Sequence, residues 1–387
     1  MICGGKNNNM KNKTILRTYF SFFLSGIFIL GIGAIMPDLI TNLNLSYSDA
    51  GTLLSMFAVG NLLSNFISPF VSERFGNKIA IGILAALVPL SFLSIVVFTD
   101  SIRKILWLGF ILMGIGRGAV SILSNAIVND LSDNKSRDMN MLHTIFAIGA
   151  GLASFVIIGL KKIGFDFNQL ILFLTAITTI SWINYLTMDL DLKGQQKSTT
   201  VVETQKLDFA FFAVAFVMFF YLGLENTING WFMTYLKSMN ILSDAFAATL
   251  VSLTWIMIMI GRLITAFISQ KVKGTKLVLI YTIGAALAFF GLVSTMNPVI
   301  ITISILGLGL CLAGIYPTSI ANTSKYVIGN QKRLALLLTC AALGGIITPQ
   351  IIGSIADRTS MVFAINVLAI NAIAMVVFAF ISDRKLK

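Results

Sequence analysis

Of the ionisable side chains in the long apolar runs of this 387-residue chain, four are candidates for chemistry: Asp38, Arg117, Glu225 and Arg262. A charge at the centre of a bilayer costs about 2.5–3.5 kcal/mol on insertion scales, so such residues are kept where something uses or neutralises them. Glu225 has the richest surroundings. Tyr221, Glu225 and Asn229 follow one another at i, i+4 and i+8, which lines a phenol, a carboxylate and an amide along one helix face. That mixture donates and accepts hydrogen bonds, as a polyhydroxylated ligand requires. A desolvated carboxylate also resists ionisation, so Glu225 is a candidate to bind and release a proton near neutral pH, or to hold Na⁺. Its plainer role is a structural hydrogen bond between helices. Asn226, Asn125, Tyr316 and Trp231 are further candidate ligand contacts, the amides through hydrogen bonds and the rings as stacking faces. With 30 Phe in the chain, most aromatics must meet lipid or core, and buried amides also join helices.

Arg117 lies near the middle of its apolar run and needs an acidic partner, a carbonyl or an anionic ligand. Pairing with Asp38 or Glu225 would compete with proton binding and so couple two events. Asp38 closes the first run after Pro37, with Gly31 and Ala34 on the same small-residue face. Its alternative is a solvated helix end. Arg262 follows Gly261 near the end of its run. His143, the single histidine, cannot by itself make a metal centre, and neither a metal nor another cofactor is expected. Cys3, Cys311 and Cys340 indicate no disulfide framework.

The elements that must hold these residues follow from composition. Apolar residues make up 57% of the chain and charged ones 11%, against roughly 25% charged in an ordinary soluble domain. The apolar residues gather into twelve runs, at roughly 15–41, 48–71, 79–99, 104–130, 139–162, 167–188, 208–236, 244–269, 276–296, 299–327, 333–356 and 360–382, each long enough to cross the hydrocarbon as a helix. Backbone amides in lipid must bond within their own segment, so helices are required. Of the 28 Lys and Arg, 20 fall at the N-terminus, in every second loop and at the C-terminus, and 6 in the alternate loops. With an even number of spans, that bias places both termini in the cytoplasm. The net charge of +12 then reads as topology and contact with anionic lipid headgroups. A nucleic-acid partner is not expected, because no basic stripe exists. No cleavable leader is evident before the first run, and Met10 is a candidate start.

The expected fold is all-α: a polytopic membrane protein of twelve transmembrane helices in two pseudo-symmetric six-helix bundles. A cytoplasmic tail (1–14) precedes the first bundle (15–188), and a cytoplasmic linker (189–207), rich in Lys, Gln, Ser and Thr, precedes the second (208–387). Duplication is visible in the loops. Ser68-Pro69-Phe70-Val71-Ser72-Glu73-Arg74 parallels Thr265-Ala266-Phe267-Ile268-Ser269-Gln270-Lys271 at an offset of 197, and Gly76 with Lys78 is echoed by Gly274 with Lys276. Apolar likeness alone does not explain polar residues in register.

The stretch from Pro69 through Glu73, Arg74, Gly76 and Lys78 resembles the loop signature G-x-x-x-D-R-x-G-R-K of the major facilitator superfamily, with Pro69, Glu73 and Asn77 as departures. The resemblance implies a gating role for Glu73, Arg74, Gly76 and Lys78, as helix-end charges that latch one face shut, and a gating or structural contact for Arg262. Further segments resemble the fucose permease-like sugar:cation symporters. These are Asn125-Ala126-Ile127-Val128 with Arg137 and Asn140-Met141-Leu142-His143, Tyr221-Leu222-Gly223-Leu224-Glu225 with Trp231 and Tyr235-Leu236, Gly314-Ile315-Tyr316-Pro317-Thr318, and Gly344-Gly345 with Thr348-Pro349 and Gly353. The resemblance implies a monomeric secondary transporter of the cytoplasmic membrane, not an enzyme. It would move a small polar solute, a sugar or sugar derivative including acidic ones, by alternating access with H⁺ or Na⁺, binding it midway between the halves. An efflux antiporter of amphipathic compounds is the alternative within transport. A membrane-embedded transferase is the alternative outside it, disfavoured by short loops poor in Asp, Glu and His.

Overall fold

A computed structural model describes residues 2–97, 103–133, 135–188, 207–241, 243–269, 271–327 and 331–386. Its helices are α1 (Ile2–Ala34), α2 (Met36–Asn42), α3 (Tyr47–Phe75), α4 (Asn77–Val97), α5 (Arg103–Leu131), α6 (Lys135–Lys162), α7 (Phe167–Leu186), α8 (Phe209–Ser238), α9 (Asp244–Ile268), α10 (Gly274–Val293), α11 (Pro298–Asn322), α12 (Ser324–Val327), α13 (Gln331–Arg358), α14 (Met361–Val367) and α15 (Ala369–Lys385). Among the described residues, twelve helical spans are long and apolar enough to cross a membrane. They match the twelve expected runs, with one difference of consequence. The first run was expected to continue to residue 41, but the helix stops at Ala34 and a separate helix begins at Met36. Pro37 has no amide hydrogen and is tolerated in the first turn of a new helix, not in the interior of an old one. Asp38 therefore lies beyond the first span. The expected linker 189–207 falls almost wholly outside the described residues.

The chain divides into two compact units, Met1–Asp38 with Met56–Gln196, and Leu39–Ser55 with Lys197–Lys387. The division differs from a simple cut at the linker, because Leu39–Asn42 of α2 and the first turns of α3 group with the second unit. Within the first unit, Ile15, Tyr19 and Phe22 of α1 pack with Ala80, Ile81 and Ala85 of α4, Leu123 and Ile127 of α5 and Tyr185 of α7. In the second unit, Phe211, Val214 and Met218 of α8 pack with Tyr326, Leu337 and Ala341. Large apolar side chains such as Phe66, Phe70, Phe267 and Leu287 are exposed, as expected of surfaces facing acyl chains.

Glycines show the duplication in three dimensions. In the first unit Gly26 of α1 abuts the Phe146 carbonyl of α6, and Gly149 of α6 abuts the Phe23 carbonyl of α1. In the second, Gly344 of α13 abuts the Phe219 carbonyl of α8, and Gly223 of α8 stands beside Thr348 and Asn371. Gly26 and Gly223 are separated by the same 197 residues as the loop repeat. The pattern recurs one helix on. Gly60 and Gly114 bring α3 against α5, while Gly261 and Gly309 bring α9 against α11. Small residues let backbones approach where lipid supplies no hydrophobic drive.

A Cβ at Gly344 would overlap the Phe219 carbonyl, whereas one at Gly159 meets nothing within 4 Å. Gly344→Ala is therefore expected to destabilise the second unit by about 1–3 kcal/mol, the usual cost of overpacking. Gly159→Ala is expected to be neutral or slightly stabilising. Thermal unfolding of the two variants in detergent checks the contrast, and equal melting temperatures would refute it.

Asp208 caps α8: its Oδ1 accepts from the Phe211 amide at 3.1 Å, and both oxygens accept from the Tyr326 hydroxyl at 2.8 Å. Burial works to raise its pKa, yet the Tyr326 hydroxyl and the Phe211 and Ala210 amides together hold the carboxyl below its ordinary 3.8. A depressed folded value makes the contribution to stability complete above the unfolded pKa and lost as pH falls through the folded one. The melting temperature of the wild type is thus expected to fall more steeply than that of Asp208→Asn between about pH 5 and pH 2. Parallel curves would show that the cap is not felt.

Candidate functional site

The Glu225 site is built on a single helix face and completed by neighbours in the same unit. On α8, Tyr221 Oη donates to Glu225 Oε1 at 2.9 Å, so the i, i+4 spacing produces a phenol–carboxylate pair. The Tyr316 ring, from α11, lies 6.1 Å from that of Tyr221 at 36°. Arg262 of α9 is exposed and within Coulombic reach of the Tyr221 phenol. Asn229 is half-buried one turn beyond Glu225. Asn226 turns aside, its Nδ2 donating to the Gly345 carbonyl of α13 at 3.4 Å. Three helices thus bring a carboxylate, two phenols and a guanidinium into one neighbourhood inside membrane spans.

Trp231, expected as a stacking face, is wholly enclosed. Its Nε1 donates to the Pro349 carbonyl at 3.2 Å, and the Tyr47 ring meets it edge-on at 6.0 Å. With no face open, it packs α8 against α13 and the start of α3.

In the first unit Arg117 meets an amide. Its Nη1 donates to Asn61 Oδ1 of α3 at 2.9 Å. Asn61, half-buried in the middle of an apolar helix, was not singled out from the sequence; the amides Asn61 and Asn65 inside one span were the available signal. Asp38, one of the two carboxylates considered as a partner for Arg117, meets another cation. Asp38 receives Lys161 Nζ of α6 at 2.6 Å on both carboxylate oxygens, with the two side chains 21% and 30% exposed. Asp38 thereby ties α2 to the end of α6. Asn125 Nδ2 donates to the Ser121 carbonyl of its own helix at 2.7 Å. His143 meets the Phe22 ring edge-on at 5.9 Å.

In the loop between α3 and α4, Gly76 adopts φ +84°, a left-handed conformation that other residues resist. The glycine therefore makes the tight connection between the two spans. Asn77, which departs from the signature, is buried and accepts a hydrogen bond from Ser72 Oγ. Glu73, Arg74 and Lys78 are exposed, and the Arg74 guanidinium lies 5.7 Å from the centroid of the Phe75 ring.

Twelve spans in two repeated units, with ionisable groups held inside them, define a polytopic membrane transporter. Residues 18–349 match the Major Facilitator Superfamily, and the chain belongs to that family. It is 24% identical to the glucose/mannose transporter GlcP of Bacillus subtilis (strain 168), covering 95% of this chain and 94% of that one. Among solved structures, a variant of the nucleoside transporter NupG superimposes with a TM-score of 0.78 at 15% identity, over 98% of this chain and 100% of that one. The E. coli fucose:proton symporter FucP superimposes with a TM-score of 0.59 at 15% identity, over 94% and 98% of the two chains.

Proposed function

We propose that this transporter moves a small polar solute of the sugar class by alternating access, driven by a coupled cation, H⁺ or Na⁺, that binds at Glu225. The observation that carries the reading is the Tyr221–Glu225 pair at 2.9 Å within a membrane span, beside Tyr316. A carboxylate inside a membrane span is a functional candidate by default, and the hydroxyl and amide groups around it suit a polyol. The likeness to GlcP and FucP supports the solute class, and FucP supports the proton. Arg117, held by Asn61, extends the range to acidic sugars, whose carboxylate a guanidinium recognises. Tyr316, Asn226 and Asn229 contribute to the same binding region, with Arg262, Glu73, Arg74, Gly76 and Lys78 acting in gating. Both termini face the cytoplasm, following the distribution of Lys and Arg.

One charge moving down 100 mV releases about 2.3 kcal/mol, enough for roughly a fifty-fold solute gradient, so one cation per solute suffices. Purified protein in proteoliposomes, offered glucose, mannose, fucose, nucleosides and sugar acids under imposed H⁺ or Na⁺ gradients, tests the reading. Accumulation that collapses with the gradient is expected. Accumulation without any gradient or exchange partner would defeat it, as would failure of every sugar.

A further inference from the structure

Twelve spans return the chain to the membrane face where it began, and on that face the start of α10 is tied to the end of α15. Thr275 Oγ1 of α10 donates to Asp383 Oδ1 of α15 at 2.6 Å, and Lys273 Nζ donates to the Leu386 carbonyl at 2.7 Å. Leu386 is itself buried with Ala210 and Phe211 of α8, so the corner is fixed from within. Asp383 is thereby engaged by a hydroxyl, and the residues beside the bond are exposed cations. Lys276 follows Thr275, and Arg384 follows Asp383.

From each cation runs an apolar stripe of the same length. On α10, Lys276 is followed at i+4, i+7 and i+11 by Ile280, Ile283 and Leu287, all exposed, a spacing that keeps them on one helix face. On α15, Arg384 is preceded at the same three intervals by Phe380, Val377 and Ile373, equally exposed. Eleven residues of helix rise about 16 Å, which is half of a hydrocarbon core about 30 Å thick. Each stripe therefore covers one leaflet, from headgroup level to the midplane. The Arg384 guanidinium lies 4.6 Å from the centroid of the Phe380 ring, a cation–π contact that keeps the charge over its own stripe.

Apolar stripes toward acyl chains belong to any span, whereas a pair of cations at their head does not. The corresponding corner of the first unit, where α4 starts and α7 ends, has Lys78, the counterpart of Lys276 in the loop repeat, but no basic residue in the last turn of α7. The last turn of α15 has Arg384 and Lys385. We propose that the α10–α15 corner is a binding site for one anionic phospholipid, its phosphate held between Lys276 and Arg384 and its acyl chains laid along the two stripes. Arginine offers a planar fork matched to phosphate oxygens, and lysine a mobile point charge. Such a site is discrete, unlike the diffuse attraction between the net charge and a membrane surface, and it does not depend on which solute is moved.

Purified full-length protein in detergent, titrated with phosphatidylglycerol and read by native mass spectrometry, tests the assignment. The wild type is expected to hold a first phosphatidylglycerol more tightly than phosphatidylcholine. A cation near an anionic surface is worth roughly fivefold in affinity, so Lys276→Gln with Arg384→Gln is expected to weaken that first lipid about twenty-five-fold. Either substitution alone is expected to cost about fivefold and serves if the double variant does not accumulate. Lys11→Gln with Lys13→Gln removes the same charge from the same membrane face and is expected to change the affinity by less than about twofold. A loss confined to the Lys276 and Arg384 variants supports the site. Equal losses from both double variants would leave only diffuse attraction and overturn it, as would unchanged binding in all of them or equal affinity of the wild type for phosphatidylcholine. Glycerol phosphate, which carries the anion without the chains, is expected not to compete, and displacement of the lipid by it at comparable concentration would overturn the proposal.

Discussion

Glu225→Gln is expected to abolish concentrative uptake while leaving the protein folded. Glutamine keeps the size of the side chain and an oxygen to accept from Tyr221 Oη, which now lies 2.9 Å from Glu225 Oε1. It cannot take up a proton or balance a sodium ion. Coupling therefore fails, and the accumulation ratio falls from as much as about fifty-fold to one. Exchange of solute down its own gradient should persist, because the hydrogen-bonding face of α8 is unchanged. Paired measurements in proteoliposomes, active uptake against counterflow, decide the matter. Loss of both points to a structural carboxylate, and retention of gradient-driven accumulation moves the coupling site away from Glu225.

Arg117→Ala is expected to lower uptake by about tenfold or more while leaving the melting temperature unchanged or raised. The two effects separate use from structure. A hydrogen bond to a charged group is worth about 1.5–3 kcal/mol, which sets the size of the loss in transport. Folding has less to lose, because alanine removes a charge that costs about 2.5–3.5 kcal/mol to place in the bilayer. Asn61, whose Oδ1 accepts from the Arg117 guanidinium at 2.9 Å, loses that contact, and the saved cost of burying the charge offsets it. A sharp drop in melting temperature with transport in proportion to folded protein would make the arginine a structural element. Sugar acids should suffer more than neutral sugars, since the guanidinium is matched to a carboxylate.

The elements were readable in the sequence and most of their long-range pairings were not, for a physical reason. Span number and position follow from runs of apolar residues, a local property, and twelve were expected and found. Contacts fixed by helical spacing were equally legible, so the Tyr221–Glu225 pair was expected from four residues of separation. Repeats were legible in the polar loop residues, because those are not dictated by lipid. What spacing does not encode is which distant helix a side chain meets. Asp38 was one candidate partner for Arg117, and the contact it makes with Lys161, more than a hundred residues away, was not foreseen. Arg17 counted only as a topological charge, whereas its Nε and Nη2 donate to the side-chain and backbone oxygens of Asn184 at 2.9 Å and join α1 to α7. Trp231 was a candidate stacking face by its ring alone, and its enclosure depends on α13 and the start of α3. Asp357 was passed over as a helix-end charge, and its partners are amides some three hundred residues earlier.

The glycine contacts bear on how such a protein changes its cargo. Where Gly26 and Gly149 meet α6 and α1, and Gly344 meets α8, the spans touch main chain to main chain, and the gap between them is set by atoms every residue shares. A cavity cannot be widened there by trimming a side chain, for none exists to trim, nor narrowed without prising the beams apart. New solute preferences must come from the sparse polar groups that line the spans, which leaves the framework free to be inherited intact while its chemistry diverges.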